Sequence, residues 1–318
     1  MPHVDRALTW ILEYGDRDGD GFVEYRRTTG TGLQNQGWKD SHDSISFADG
    51  TLAEGPIALA EVQAYVYGAF VARSELAATF DTPAVAREWA DRADTPRRRF
   101  HDAFWLPSAG YYALALDGRK RQVDALASNQ GHALWTGLID PRYAAQVAEH
   151  LVSPELFSGW GIRTLARSMK RYDPLSYHNG SVRPHDTAIS VAGLARYGFA
   201  DDAVRVADAL FDAAVAFGDR LPELFCGFDR SEFSSPVPYP TSCSPQAWAA
   251  AAPFLLVRSV LGFDPDVPAG KVYVAPPTGS GYLAGLVIRH LPLTGRRITI
   301  GGTEHEGLED LALIRPRC

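Results

Sequence analysis

Residues 185–217 read HDTAISVAGLARYGFADDAVRVADALFDAAVAF, and this stretch indicates the fold most directly. It contains two runs with apolar residues at helical spacing, 185–197 and 201–217. Gly198 and Phe199 separate the runs, and glycine at such a point is typical of a helix end. The stretch therefore predicts two helices joined by a very short connection.

The same pattern recurs along the chain and predicts about eight helices, arriving largely in pairs. We expect them at 4–14, 56–76, 83–104, 129–138, 141–151, 185–197, 201–217 and 244–261. Thr82 before Pro83 predicts a helix cap, Ser244 before Pro245 predicts another, and Pro96 is a candidate break. Paired helices predict an all-α toroid with its long, aromatic-rich loops gathered at one rim. These loops are 15–55, 105–127, 152–183 and 218–243.

The pattern changes after Gly262. Three stretches, 270–277, 282–291 and 296–302, are rich in β-branched residues and bounded by glycine and proline, which predicts short strands. We expect two parts: a helical body over 1–262 and a small β-rich tail over 263–318.

Composition excludes several partners. The 318 residues carry a net charge of −7 without basic runs, which argues against nucleic acid and anionic membranes. No apolar stretch approaches the ~20 residues that a membrane helix needs. The three cysteines, Cys226, Cys243 and Cys318, form no disulfide framework. We expect a cytoplasmic protein with free thiols, in which a Cys226–Cys243 bridge is disfavoured.

Two loops concentrate carboxylates beside aromatic residues. Residues 35–45, NQGWKDSHDSI, contain Asp40 and Asp43, and residues 220–230, RLPELFCGFDR, contain Glu223. The apolar frame around Glu223 would raise its pKa unless polar groups from elsewhere hold the charge. Glycoside hydrolysis needs two carboxyl groups on opposite sides of the scissile bond. The alternative reading is ordinary: solvated or capping carboxylates, a core tryptophan at Trp38, and core histidines in 177–186.

Taken together, the loops resemble the glycogen-debranching, amylo-α-1,6-glucosidase family, which is related to inverting glycosidases with an (α/α)6 barrel. The resemblance spans roughly residues 5–262, and the small C-terminal β segment resembles the tail after such barrels. The matching stretches are GDRDGDGFVEY (15–25), NQGWKDSHDSI (35–45), FSGWGIRTLA (157–166), YHNGSVRPHD (177–186), LPELFCG (221–227) and CSPQAWAAAA (243–252).

The resemblance implies roles for individual residues. Asp40, in the Trp-x-Asp motif, would be the general acid, and Glu223, in the Leu-Pro-Glu loop, the general base of an inverting mechanism. Asp43 is the alternative acid, or it binds a sugar hydroxyl. The remaining candidates for substrate contacts are Trp38, Trp160, Arg163, His178, Gln246 and Trp248. No metal is implied.

The resemblance also implies a carbohydrate substrate with an α-glucosidic bond, either α-1,6-linked or in a short α-glucan. Trehalose-like and glycosyl-glycerate substrates are alternatives within the same class. A non-catalytic, carbohydrate-binding or truncated chain is the alternative of a different class.

Two departures bear on that choice. Arg183 stands where the family is expected to have tryptophan, and only about eight of a barrel's twelve helices are found. The missing helices would expose apolar surface. The alternatives are an open crescent, a barrel completed by a second copy or a partner chain, and a truncated gene.

The acidic run 16–21, DRDGDG, is similar to the start of a calcium loop. Asp16, Asp18 and Asp20 fit the ligand positions, but Arg27 stands where a bidentate glutamate belongs. The alternative is a tight polar turn, and we expect no cofactor.

Overall fold

The computed structural model describes residues 1–274, 285–301, 305–306 and 312–314. Eight helices lie in these residues, as predicted, and α1 continues into a π-helical turn, Ile11–Gly15. The helices are α1 Pro2–Trp10, α2 Ala60–Phe80, α3 Pro83–Phe104, α4 Asn129–Thr136, α5 Pro141–Val152, α6 Pro184–Arg196, α7 Ala200–Ala216 and α8 Ala247–Val260.

The ends of α3 match the prediction. Thr82 Oγ1 accepts a hydrogen bond from the Val85 amide at 3.3 Å, so it caps the helix as expected. Pro96, the candidate break, lies inside α3 and does not end it. Pro96 is buried, and α3 packs extensively along α2, which offsets the backbone hydrogen bond that a proline removes.

The start of α8 corrects the sequence prediction. The helix begins at Ala247 rather than Ser244, and its cap is Gln246, whose side-chain oxygen accepts from the Trp248 amide at 2.8 Å. A side-chain acceptor two residues before a helical amide satisfies a donor that the helix leaves free. Ser244 and Pro245 therefore lie in the preceding loop.

The helices form two layers. In one layer α2, α4, α6 and α8 pack side by side in that order. In the other, α3 packs on α2, α5 on α4 and α7 on α6. Helix pairs that add one inner and one outer helix at a time are the arrangement predicted for a toroid.

Two glycines bring α4 and α6 close together. A Cβ atom on Gly193 would lie 2.8 Å from the Gly131 carbonyl oxygen, and one on Gly131 would lie 2.1 Å from Ser190 Oγ. Only glycine permits this approach of two helix backbones. The approach matters for the site because it places polar side chains of α4 against those of α6.

The loop 105–127 is more regular than expected, because short strands lie before and within it. β1 (Ala58–Leu59), β4 (Ala115–Leu116) and β5 (Gln122–Val123) form one antiparallel sheet. β2 (Trp105–Leu106) and β3 (Tyr111–Tyr112) form a hairpin. This segment therefore packs as small sheets.

The strands predicted after Gly262 are confirmed where the structure describes them, whereas 275–284 lies outside the described residues. β7 (Lys271–Tyr273) pairs with β6 (Asp264–Asp266) and β11 (Ala312–Ile314), and β9 (Arg296–Gly301) pairs with β8 (Val287–Leu293) and β10 (His305–Glu306). These strands pack on an apolar cluster that includes Leu261, Val272 and Ile298. The division at residue 262 stays a prediction.

Two further predictions concern the thiols and the membrane. Cys226, which is buried, and Cys243, which is exposed, are both free thiols, and Cys318 lies outside the described residues. Among the described helices, none combines the length and hydropathy needed to span a bilayer.

Candidate active site

Backbone pairing aligns the loops that carry the candidate residues. Val182 and Phe225 exchange two backbone hydrogen bonds, at 2.9 and 3.0 Å. Close by, a Cβ atom on Gly227 would lie 1.7 Å from the Gly180 carbonyl oxygen, so only glycine fits there. The segment around Tyr177 therefore runs directly beside the segment that carries Glu223.

Glu223 is a buried carboxylate with charged and polar partners. Its Oε1 accepts hydrogen bonds from the Tyr177 hydroxyl at 2.6 Å and from Arg183 Nη1 at 3.1 Å. Its Oε2 is 3.4 Å from the Cys243 amide nitrogen. Burial opposes ionisation of Glu223, but the bond from Tyr177 and the charge of Arg183 outweigh it and lower its pKa. Glu223 is thus held as a carboxylate.

Asp40 lies in a different environment. Its side chain is 51% exposed, and Oδ1 is 3.9 Å from Nε2 of the buried His178. His178 Nδ1 lies 2.6 Å from the Ser41 hydroxyl and accepts from the Ser41 amide at 3.4 Å. Burial, followed by the charges of Arg183 and Lys39, lowers the pKa of His178 to about 3. The imidazole is therefore neutral, with its proton on Nε2, facing Asp40.

Two consecutive residues thus lie next to the two candidate carboxyl groups. Tyr177 contacts Glu223 and His178 faces Asp40, and the two rings meet edge to face with centroids 4.8 Å apart. The predicted pair, separated by 183 residues in sequence, is brought to neighbouring loops.

Aromatic rings form the rest of this cluster. Trp38 meets His178 and His185 edge-on, with centroids 6.2 and 5.3 Å apart, and stacks on His132. His185 stacks in turn on Trp248 at 4.0 Å. Three of the predicted substrate contacts, Trp38, His178 and Trp248, therefore lie in one aromatic cluster beside Asp40.

Beneath the aromatic rings lies a layer of buried polar side chains that the sequence analysis did not identify as part of the site. His132 Nε2 and Asp186 Oδ1 are 2.8 Å apart, and Tyr65 bonds the other nitrogen of His132. Glu61 is fully buried, and burial raises its pKa. The available signal was the presence of polar residues inside otherwise apolar helices.

Lys39 belongs to the same layer. It is buried, and its Nζ donates to the Thr164 carbonyl at 2.5 Å while lying 5.0 Å from the centre of the Trp38 ring. Burial lowers the pKa of Lys39 to about 8. The residue between Trp38 and Asp40 therefore anchors their loop to the segment that contains Thr164.

Two predicted substrate contacts are buried by packing. Trp160 is 4% exposed, and the Arg230 guanidinium lies 4.2 Å from the centre of its ring. Arg163 is 1% exposed, donates to the Gly227 carbonyl at 2.7 Å and pairs with Asp229 at 3.3 Å. In this structure both side chains brace the loops, and a sugar contact for either one stays a prediction.

Two others make hydrogen bonds between a side chain and the backbone. Gln246 caps α8, as described above, and the Asp43 carbonyl accepts from the Asn179 side chain at 3.2 Å. Asp43 therefore helps to hold the 35–45 loop against the 177–186 loop, and its role toward a sugar stays a prediction.

The acidic loop 16–24 holds a cation supplied by the chain itself. Lys120 Nζ lies 2.9 Å from Asp18 and 2.6 Å from Asp20, and it also pairs with Glu24. Asp16 accepts from the Gly19 and Gly21 amides at 2.7 and 2.8 Å, as in a tight polar turn. Carboxylate oxygens of Asp16, Asp18 and Glu24 lie within 4.8 Å of one another, and calcium at Asp16, Asp18 and Asp20 stays a prediction.

Comparison with known proteins identifies a matching family. A family model described as "Mannosylglycerate hydrolase MGH1-like glycoside hydrolase domain" matches residues 5–221. No curated protein matches the chain.

Three solved structures have a similar fold. One is described as "Sialidase" and matches with a TM-score of 0.72 and 12% identity, covering 94% of this chain and 27% of that one. Neutral trehalase Nth1 from Saccharomyces cerevisiae matches with a TM-score of 0.52 and 16% identity, covering 69% of this chain and 41% of that one. The GH63 mannosylglycerate hydrolase from Thermus thermophilus, in complex with glucose, matches with a TM-score of 0.50 and 17% identity, covering 63% of this chain and 47% of that one.

The similarity supports the fold, which is that of barrel glycosidases in an incomplete form. The chain spans 27–47% of the length of these structures. The resemblance stated from the sequence is therefore correct at the level of a glycoside hydrolase, whereas the glycogen-debranching branch is not the one that the family match identifies.

Proposed function

The chain belongs to the MGH1-like glycoside hydrolase family, and from this premise we propose that it is an inverting glycosidase with Asp40 as general acid and Glu223 as general base. The observation that carries the proposal is that consecutive residues, Tyr177 and His178, each contact one of the two carboxyl groups. The family match ends at Leu221, so the role of Glu223 rests on this geometry and on the resemblance.

The environments of the two carboxyl groups suit these roles. A general base must be ionised, and Glu223 is held as a carboxylate by Tyr177 and Arg183. Asp40 is half exposed, so a glycosidic oxygen can reach its carboxyl group. In an inverting enzyme the acid protonates this oxygen while the base activates a water on the opposite face of the sugar.

We propose a small α-linked glycoside of the glycosyl-glycerate or trehalose type as substrate. The family description names mannosylglycerate hydrolase, and the similar structures include a mannosylglycerate hydrolase and a trehalase. The α-1,6-glucoside or short α-glucan that the resemblance implies is the second substrate class, and the same assay separates the two.

A non-catalytic carbohydrate-binding chain is the second candidate function. The chain spans under half the length of the trehalase and of the mannosylglycerate hydrolase described above. Residues from the remaining part of such proteins would then be needed to complete the pocket.

The test is sugar release from a panel of mannosylglycerate, glucosylglycerate, trehalose, isomaltose and maltooligosaccharides. We expect turnover by wild type and a loss of roughly 10²–10⁴-fold in both Asp40→Asn and Glu223→Gln. Asp91→Asn, on the exposed outer face of α3, is the matched control and should retain activity.

Two outcomes would change the proposal. Loss of activity in Asp43→Asn with normal activity in Asp40→Asn would transfer the acid role to Asp43. Absence of turnover by folded wild type, together with quenching of tryptophan fluorescence by the same sugars, would favour the carbohydrate-binding chain.

A further inference from the structure

Arg183 is a buried cation next to the proposed base. It is 1% exposed, and its guanidinium lies 4.5 Å from the centre of the Tyr177 ring and 5.8 Å from that of Trp38. Its Nη1 donates to Glu223 Oε1 at 3.1 Å. A charge buried this deeply needs a partner, and Glu223 supplies it.

The two oxygens of Glu223 are used unequally. Oε1 accepts from both Tyr177 and Arg183, at 2.6 and 3.1 Å, whereas the contact of Oε2 with the Cys243 amide is long, at 3.4 Å. A carboxylate oxygen with two good donors has little capacity left to accept a proton. Oε2 keeps that capacity.

We propose that Arg183 is a positioning residue: it holds Oε1 of Glu223, so that Oε2 is the oxygen that takes the proton from water. The inference rests on the proposed function. A water O–H bond breaks and its proton goes to Oε2, while the water oxygen bonds to the anomeric carbon. The glycosidic C–O bond breaks, and its oxygen takes the proton of Asp40. Exchange with solvent then restores both carboxyl groups.

The charge of Arg183 also sets the pH range in which this base works. The titratable groups around the ion pair are Tyr177, His178, His185 and Lys39. Burial lowers the pKa of His178 to about 3 and that of His185 to about 4, so neither imidazole carries a charge at neutral pH. The charges of Arg183 and Lys39 both lower the pKa of His178, and Arg183 is in direct contact with Glu223.

The sign of the effect follows from the role of Glu223. A base works only when ionised, so activity is present above its pKa and is lost as pH falls through it. An arginine next to a carboxyl lowers that pKa. Removing the charge should therefore move the acidic limb of the pH profile to higher pH.

A second reading of Arg183 is direct binding of a substrate carboxylate. Its 1% exposure argues against this reading, because a substrate group could not reach a side chain that is covered by Tyr177 and Trp38. The two readings differ in kinetics: a carboxylate-binding arginine would change KM for glycerate substrates and leave trehalose unaffected.

The test compares the pH dependence of kcat/KM in wild type, Arg183→Met, Arg183→Gln and Arg183→Lys. We expect the acidic limb to move up by about one pH unit or more in the two neutral variants and by less in Arg183→Lys. The decrease in kcat/KM of the variants should come from kcat, with KM within about twofold of the wild-type value on both charged and neutral substrates. Arg183→Gln keeps a donor for Oε1, so it replaces Arg183→Met in this comparison if Arg183→Met does not fold.

A second measurement does not depend on turnover. The carboxyl carbon of Glu223 is titrated by NMR in glutamate-labelled protein, with its signal assigned by its absence in Glu223→Gln. We expect a higher midpoint in the neutral variants than in wild type. Equal midpoints in folded proteins, or a KM effect confined to glycerate substrates, would overturn the inference. Absence of hydrolysis by wild type would overturn the proposed function, while the titration would still test the action of Arg183 on Glu223.

Discussion

At the scale of single residues, the environment of Lys39 connects the candidate acid to the rest of the molecule. Lys39 lies between Trp38 and Asp40, and its side chain crosses to the Thr164 carbonyl. An ammonium without a direct carboxylate partner is costly to bury, and burial lowers its pKa to about 8. The hydrogen bond of Lys39 thus anchors the loop of Asp40, but burial of the charged ammonium makes the folded state less stable.

This cost gives a prediction for stability against pH. The pKa of Lys39 is about 8 in the folded chain and about 10.5 when unfolded, so between these values the unfolded state binds the extra proton. The free energy of unfolding of wild type, relative to Lys39→Met, should therefore rise by up to about 3 kcal/mol from pH 8 to pH 10.5.

Denaturant unfolding of both proteins across this pH range measures the difference. Tyrosine titration affects both proteins alike and cancels. A difference that stays constant with pH would mean that Lys39 is not buried as described.

At the scale of elements, the ends of helices were predicted where the signal is local. Thr82 and Pro83 specify the start of α3 through a cap and a fixed backbone angle, and both act within one turn. The start of α8 was wrong because Ser244 and Gln246 both offer a side-chain acceptor, and only the path of the preceding loop selects Gln246. Helix α3 also continues past Pro96 because it packs on α2, and no local sequence pattern reveals this packing.

The sequence indicates candidate carboxylates for the site but not the partners of those carboxylates. Asp40 and Glu223 stand in distinctive loops, but the bond from Tyr177 to Glu223 joins residues 46 positions apart. An aspartate at a helix start is ordinarily a cap or a partner of the helix dipole, whereas Asp186 is fully buried against His132 of α4. Such pairing depends on the close packing of α4 on α6, which glycines permit and sequence spacing does not specify.

Lys120 gives a prediction at this scale, because it joins the acidic loop 16–24 to the turn between β4 and β5. The Glu24 side chain is 0% exposed and Lys120 is 31% exposed. Removing the ammonium leaves a buried carboxylate unpaired, so Lys120→Met should lose about 2–3 kcal/mol of stability, less than a fully buried pair. Arg92→Met, which breaks a pair between two exposed side chains, Arg92 and Glu88, is the control and should cost under about 1 kcal/mol.

Calcium extends this experiment. Because Lys120 already pairs with carboxylates that calcium would need, we expect millimolar calcium to raise the Tm of Lys120→Met more than that of wild type. Thermal unfolding with and without calcium measures both values. An equal rise in the two proteins would mean that Lys120 does not compete with calcium for the loop.

At the scale of the whole molecule, α8 is the last helix at one end of the inner layer, and one of its faces is exposed. Phe254 is 79% exposed, and Ala247, Ala250 and Ala251 are exposed with it at helical spacing. An apolar stripe of this kind is typical of a surface that another element covers. Cover by a second copy or by a partner chain stays a proposal.

Substitutions at two residues of α8 should therefore change stability by very different amounts. Leu256 is 0% exposed and packs in the main core, so Leu256→Ala should cost about 2–5 kcal/mol of stability. Phe254→Ser should change stability by less than about 0.5 kcal/mol. It should also reduce concentration-dependent association in sedimentation experiments. A large loss of stability in Phe254→Ser would mean that this face is covered within the chain.

The most direct test of the whole account is the anomer that is released first from an α-linked glycosyl-glycerate, followed by proton NMR before the sugar mutarotates. With Asp40 as acid and Glu223 as base, water attacks from the face opposite the leaving group. The account predicts the β anomer first from wild type, and release that is slower by roughly 10²–10⁴-fold in Asp40→Asn and Glu223→Gln. Appearance of the α anomer first, or unchanged release by either variant, would contradict it.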